Sequence, residues 1–396
     1  MSDDLNTPLK APGNRVAQML ASKGRTIVTY AASGLIAIGL LFMVWIILQA
    51  DSLGGQPHVV LSLNESSAYA GRADTAPPSM RQSIGPGESQ QNQSGRVAAT
   101  RSTNEIRNNG VTIIRRPDTG TTIRLGSISD PDLTEAGPEG PLPRVAADGR
   151  RPAEVYARPA SLDPAIQSPD QPRIALLVSG LGISTSGTLD AINNLPGQIS
   201  LAFAPYGSDL ENWVGKARRN GHEVLMQIPM EPFDYPDNDP GPHTLKVDGD
   251  AEANIRRLNW LLSRFTGYVG VTNYMGARFT SNSEAFTPIL REFADRGLLY
   301  LDDHSSPRSR LNELAPGMGL QAGSADVVID AVVNRESIDT ALIRLENLAL
   351  RHGIVIGYAS ALPLSIARIT EWSKQLQDKG ITLIPVSAAL ESPAQS

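Results

Sequence analysis

Two carboxylates and an imidazole stand together in Asp302, Asp303 and His304, inside the stretch GLLYLDDHSSPRS. Groups of this kind at one strand end can hold a divalent cation or pass a proton, so the triplet offers metal binding or acid–base chemistry. The same types also build ordinary structure, since Asp ahead of Ser-Ser-Pro caps a helix and a single His at a strand end completes a polar surface. A second candidate is the glycine-rich turn in RIALLVSGLGIS, Arg173–Ser184, which can cradle a phosphate, hold a site or simply bend the chain. A dinucleotide fingerprint wants glycine at positions one, three and six, whereas Gly180 and Gly182 are followed by Thr185. The acidic residue expected about 20 positions on is missing and no Walker lysine follows, so phosphate binding is set aside. A third set, Ser179, Gln227, Asn273, Tyr274, Arg278 and Tyr358, is polar and aromatic. It suits hydrogen bonding to sugar hydroxyls and stacking on a ring face, and equally suits polar filling of a barrel mouth. Arg278 is expected either to pair with Asp302 or Asp303 or to touch substrate.

These residues fall at the ends of apolar runs. RIALLV, ISLAFAP, HEVLMQIPM, YVGVTNYM, LLYLDD, ADVVID, IVIGYA and ITLIPVS read as strands, separated by helical patterns such as DLENWVGKARRNG and SIDTALIRLENLALRHG. Strands apolar on both faces and alternating with helices indicate a parallel sheet covered by helices. Over residues 171–396 this fits a closed or nearly closed α/β barrel, with a doubly wound open sheet as the alternative order. In both, function sits where strands end and helices begin. The loop Phe233–Asp250 is longer than a plain connection and is expected to wall one side of the site, with Phe233 and Tyr235 as stacking candidates.

The rest of the chain sets the context. Of 396 residues none is cysteine, which excludes disulfides and thiol nucleophiles. A net charge of -6 argues against a nucleic-acid binder, which needs a basic face. No charge interrupts TIVTYAASGLIAIGLLFMVWIILQA between Arg25 and Asp51, a length that crosses a bilayer as a helix. Arg15, Lys23 and Arg25 precede it and no basic residue follows before Arg72, so residues 1–26 are expected in the cytoplasm, 27–49 in the inner membrane as a single uncleaved span, and the remainder in the periplasm. Residues 50–170 are rich in Ser, Gly, Pro, Asn and Gln without a sustained period, and are expected to form a mostly disordered spacer.

The motifs GHEVLMQIPMEP, DPGPHTL, GVTNYMGARFTS, GLLYLDDHSSPRS and ITLIPVSAAL occur in the order and spacing of the divergent polysaccharide deacetylases, and the chain from Arg173 to about Leu390 resembles that family. The resemblance implies a distorted (β/α)7-type barrel in which catalytic relatives use a zinc-bound water to remove acetyl groups from sugars. In those relatives the first strand ends in two aspartates, where this chain has Ser179 and Gly180; histidines stand where it has Gln227, Tyr274 and Tyr358. With these replacements no metal ligand and no cofactor is expected. The resemblance then implies an envelope protein whose barrel binds or regulates an acetylated glycan or peptidoglycan. The alternatives are a deacetylase rebuilt around Asp302, Asp303 and His304, and a scaffold for an envelope protein partner.

Overall fold

Continuous apolar runs in this sequence become strands buried on both faces. The computed structural model describes residues 104–108, 111–116, 120–126, 130–160, 168 and 171–391. An antiparallel meander comprises β1 (Asn104–Asn108), β2 (Val111–Arg116) and β3 (Gly120–Leu125), and a short hairpin comprises β4 (Thr134–Ala136) and β5 (Pro141–Pro143). Parallel strands follow: β6 (Arg173–Leu181), β7 (Ser200–Phe203), β8 (Val224–Met230), β9 (Gly270–Met275), β10 (Leu299–Asp302), β11 (Ala322–Ser324), β12 (Val327–Val328), β13 (Ile354–Ser360) and β14 (Thr382–Ile384).

Hydrogen bonding runs in the order β11-β10-β9-β8-β7-β6-β13-β12, with β14 also on β6. β11 and β12 belong to one stretch, Ala322–Val328, which pairs with β10 at its start and with β13 at its end. That stretch closes the run into a distorted barrel rather than an open sheet. Alternation along β6 explains why both faces are apolar: Ile174, Leu176 and Val178 face the surrounding helices, while Ala175 and Leu177 join the lumen with Leu225, Leu299, Leu301 and Ile356. Close approach also dictates residue choice, since a Cβ at Gly270 would lie 2.3 Å from Leu299 O.

The barrel unit begins earlier than composition suggests. Residues 130–158, expected within the spacer, are folded: Leu133, Ala153 and Tyr156 enter the lumen cluster together with Val386 and Leu390 of the helix Val386–Leu390. Single side chains spaced irregularly make these contacts, so no period of 2 or 3.6 announced them. Buried Arg218 ties the arm down by donating to Gly126 O at 2.7 Å, Tyr156 O at 2.9 Å and Gly267 O at 3.2 Å. Burial lowers its pKa to about 10. The apolar segment 27–49 lies outside the described residues; among the described residues no helix is long and apolar enough to cross a membrane.

Candidate functional site

β6 ends in the glycine-rich turn, and its geometry shows what the turn is for. Gly180 and Gly182 have φ of 83° and 88°, a region open to glycine. The turn's donors are consumed by its own helix, Thr185–Asn194: Gly182 N donates to Thr188 Oγ1 at 2.9 Å, and Gly187 N to the capping Ser184 Oγ at 3.2 Å. Gly180 N instead points across the mouth and donates to Gln227 Oε1 at 2.9 Å. Gln227 Nε2 lies 3.5 Å from Tyr358 OH, and Ser179 Oγ donates to Ala359 O at 3.2 Å. Ser179, Gln227 and Tyr358, from β6, β8 and β13, are therefore brought together as one buried polar floor. Burial above all, and then the charge of Asp303, raises the Tyr358 pKa, so the phenol is neutral.

A second cluster lies beside it. Asn273 Oδ1 accepts from Asp303 N at 2.9 Å and Tyr300 OH at 3.1 Å, while Nδ2 donates to Asp303 Oδ1 at 2.6 Å and Met275 O at 2.7 Å. With both lone pairs and both amide hydrogens engaged, Asn273 acts as a clasp between β9 and β10 rather than as a hand for ligand. Asp302 and Asp303 each accept from the backbone two residues on, at His304 N (2.9 Å) and Ser305 N (2.8 Å). These successive Asx turns are the local reason for the DDHSS sequence. Ser309 Oγ donates to the other Asp302 oxygen at 2.6 Å. His304, with φ 63°, is exposed.

Burial pushes the Asp303 carboxyl up to about 7, with the Asp302 charge adding to the rise. A folded pKa above the unfolded one means that the folded chain holds this proton more tightly. The stabilisation is complete below about pH 4 and is lost as pH climbs through about 7. Thermal midpoints measured from pH 4 to 8 are expected to fall for the natural chain relative to Asp303→Asn, the gap widening with pH. A gap that stays constant contradicts the assignment.

Tyr274 closes β9 with its side chain 42% exposed, which makes it the aromatic ring of this group available at the mouth. Arg278 corrects an expectation. It meets neither Asp302 nor Asp303; Nη1 pairs with Glu231, and Nη2 with Asp248 at 2.9 Å. The reason is topological: the helix Ala277–Thr280 packs on the end of β8, where Arg278 N and Phe279 N both donate to Glu231 O. Glu231, 3% exposed, also accepts from Val247 N, so Arg278 fastens both ends of the 231–250 loop. Arg278→Ala is expected to loosen the 231–250 loop while the barrel stays folded, since solvent screens the exposed guanidinium. Faster amide exchange confined to residues 231–250 is the measurement that checks it.

The sequence reading missed Thr272, whose buried hydroxyl has no hydrogen-bond partner although it neighbours Gln227 and Leu301 in register. Its position two residues before Tyr274 in a strand was the available signal. It also missed Tyr300 and Ser309, whose roles depend on contacts distant in sequence or on turn geometry. His222 proves structural, with Nδ1 2.8 Å from Ile199 O and no exposure.

Whether zinc fits is a question of donors. The strand ends present a hydroxyl, a carboxamide and two phenols at Ser179, Gln227, Tyr274 and Tyr358, and both Asp302 oxygens are taken by protein donors. Among the described residues no three His, Asp or Glu side chains converge on one point. This donor set does not fit zinc, and no chemical step is routed through a metal.

A parallel barrel whose polar residues gather at the carboxyl ends of its strands defines the class. The chain belongs to the divergent polysaccharide deacetylase family, whose model matches residues 176–390. It is similar to the crystal structure of the uncharacterized protein ATU2773 from Agrobacterium tumefaciens C58, with 44% identity and a TM-score of 0.60, covering 63% of this chain and 99% of that one. It is also similar to the uncharacterized protein YibQ of Escherichia coli K12, 25% identical over 199 residues, which are 50% of this chain and 61% of YibQ. An uncharacterized protein of Haemophilus influenzae Rd is 21% identical over 197 residues, 50% of this chain and 69% of that protein.

Proposed function

We propose that this barrel binds an envelope glycan, an acetylated polymer such as peptidoglycan, and reads or regulates it rather than hydrolysing it efficiently. The observation that carries the proposal is the Gly180–Gln227–Tyr358 floor, in which groups able to hydrogen bond sugar hydroxyls stand where the family resemblance implies metal ligands. Exposed Tyr274 beside this floor supports ring stacking. The uncharged apolar segment 27–49 supports an inner-membrane anchor with the barrel in the periplasm, and the net charge of -6 supports a partner other than nucleic acid. The test is calorimetric titration of the full chain with acetylated chito-oligosaccharides and peptidoglycan fragments. Saturable binding without acetate release supports the reading, and absence of binding to either removes it.

A second reading has its own observation. Asp303, raised to about 7 beside the mouth, has the proton affinity of a general acid or base at neutral pH. Acetate release abolished by Asp303→Asn would favour a rebuilt hydrolase over a binding module.

A further inference from the structure

Glu231, Arg278 and Asp248 hold the two ends of the 231–250 loop, and a separate aromatic cluster holds its middle. His243 stacks on Trp260 of the helix Ala251–Leu262, with ring centroids 3.6 Å apart and parallel planes. Tyr206, which follows β7, lies against both, its centroid 6.4 Å from that of His243 and 5.9 Å from that of Trp260. Its hydroxyl accepts from His243 N at 3.1 Å, and its ring packs so closely on Gly241 that a Cβ there would lie 2.4 Å from Tyr206 Cε2. Histidine is the side chain whose ordinary charge change falls between about pH 5 and 8, and His243 is the histidine of this loop.

The ring's Nδ1 is enclosed and has no hydrogen-bond partner. A neutral imidazole tolerates this, whereas a protonated one must bury a charged N–H that finds no acceptor. The charges facing the ring add to that cost. Arg257 and Arg264, from the helix and the turn after it, disfavour an imidazolium; Glu139, from the turn between β4 and β5, favours it. Tyr206 brings a hydroxyl that burial keeps neutral, and Asp239 of the loop is occupied beside it, its Oδ1 accepting from Gly241 N at 2.9 Å. Burial first, and Arg257 next, hold the His243 pKa below its ordinary value. A charged ring would be attracted to the indole face, but the Arg264 guanidinium already stands 4.8 Å from the Trp260 centroid. That attraction is smaller than the cost of a buried, unpaired charged donor.

We infer that His243 is an acid-released latch: neutral, it clips the middle of the 231–250 loop onto Trp260 and Tyr206; protonated, it leaves the stack and frees the loop at the barrel mouth. By linkage, a histidine that resists protonation in the folded loop carries no penalty at high pH, so the latch is whole above about pH 6.5 and weakens as pH falls through that value. Asp303 works in the opposite direction, because its proton stabilises the fold as pH falls below about 7. A loop that loosens while the barrel does not is therefore the signature of His243, whatever ligand the mouth takes.

Hydrogen exchange of the full chain in detergent solution at about pH 7.5 and about pH 5.5, corrected for intrinsic rates, tests the latch. Amides of residues 241–247 are expected to exchange at least about fivefold faster at the lower pH, while those of β6 and β13 do not. His243→Phe keeps a stacked ring without a proton site, and the same amides should then change by less than about twofold. His243→Ala removes the stack and should exchange fast at both pH values. Protection in β6 and β13 certifies the fold of each variant. Equal protection of residues 241–247 at the two pH values in the natural chain overturns the inference. So does an acid response that persists in His243→Phe or His243→Ala, which would assign the titration to another group.

Discussion

Glu223→Ala destabilises the barrel by about 3–5 kcal/mol, the cost of removing one partner from a buried, hydrogen-bonded polar group. Glu223 is fully buried ahead of β8 and gathers donors from three distant parts of the chain. Oε1 accepts from Ser200 Oγ at 3.0 Å and Ser387 N at 3.1 Å; Oε2 accepts from Arg158 N at 3.2 Å and from Ser387 Oγ. The two hydroxyls can turn elsewhere, but the two backbone N–H groups cannot, so alanine leaves both orphaned. Glu223→Gln does not rescue. Each carboxylate edge faces one of those N–H groups, and whichever way the amide is turned its NH2 confronts a donor. For a domain of this size the loss corresponds to a fall in Tm of roughly 6–20 °C, at about 2–4 °C per kcal/mol. Released residues 130–158 should become cleavable by protease at the same time, because Arg158 is one of the fixed donors. A glutamine variant with an unchanged Tm would show that the carboxylate is not what joins the arm, the C-terminal helix and the barrel.

Tyr274→Ala is expected to weaken glycan binding about 10- to 30-fold, the effect of truncating an aromatic anchor at a binding hot spot. Its ring is 42% exposed and makes no hydrogen bond on which the fold depends, so Tm should change by less than about 2 °C. Tyr274→Phe keeps the ring face and should retain most of the affinity. The neighbouring floor answers differently. Gln227→Leu removes the acceptor for the Gly180 N–H and the amide beside the buried Tyr358 OH, so binding and stability should fall together. Calorimetry on the three variants separates the two roles, and an affinity insensitive to Tyr274→Ala would place the ligand elsewhere.

Much of the barrel was legible because parallel strands buried on both faces announce themselves as apolar runs, RIALLV and IVIGYA among them, and their ends name the mouth. Ser179, Gln227 and Tyr358 converge because strand ends converge in a barrel, whatever the chemistry of the residues. Arg278 went astray because its partner, Glu231, sits at the start of a long loop whose path no local pattern fixes. Asp302 and Asp303 looked like reactive carboxylates in sequence, while their first structural use is to form consecutive turns at His304 N and Ser305 N. Leu133 and Tyr156 were hidden in polar sequence because a plug needs only a few well-placed apolar side chains. The clasp made by Asn273 and the four-donor pocket of Glu223 are products of tertiary contact alone.

On the proposed function, the barrel holds a glycan without cleaving it. The most direct measurement is acetate release by the full chain from acetylated chito-oligosaccharides and peptidoglycan fragments, with Zn²⁺ added or chelated, beside the double variant Asp302→Asn, Asp303→Asn and with binding measured on the same samples. Saturable binding with no acetate release in any arm is the expected result. Release that requires zinc and vanishes in the double variant would contradict it, and would mean that the barrel rebuilt its catalytic centre at the end of β10.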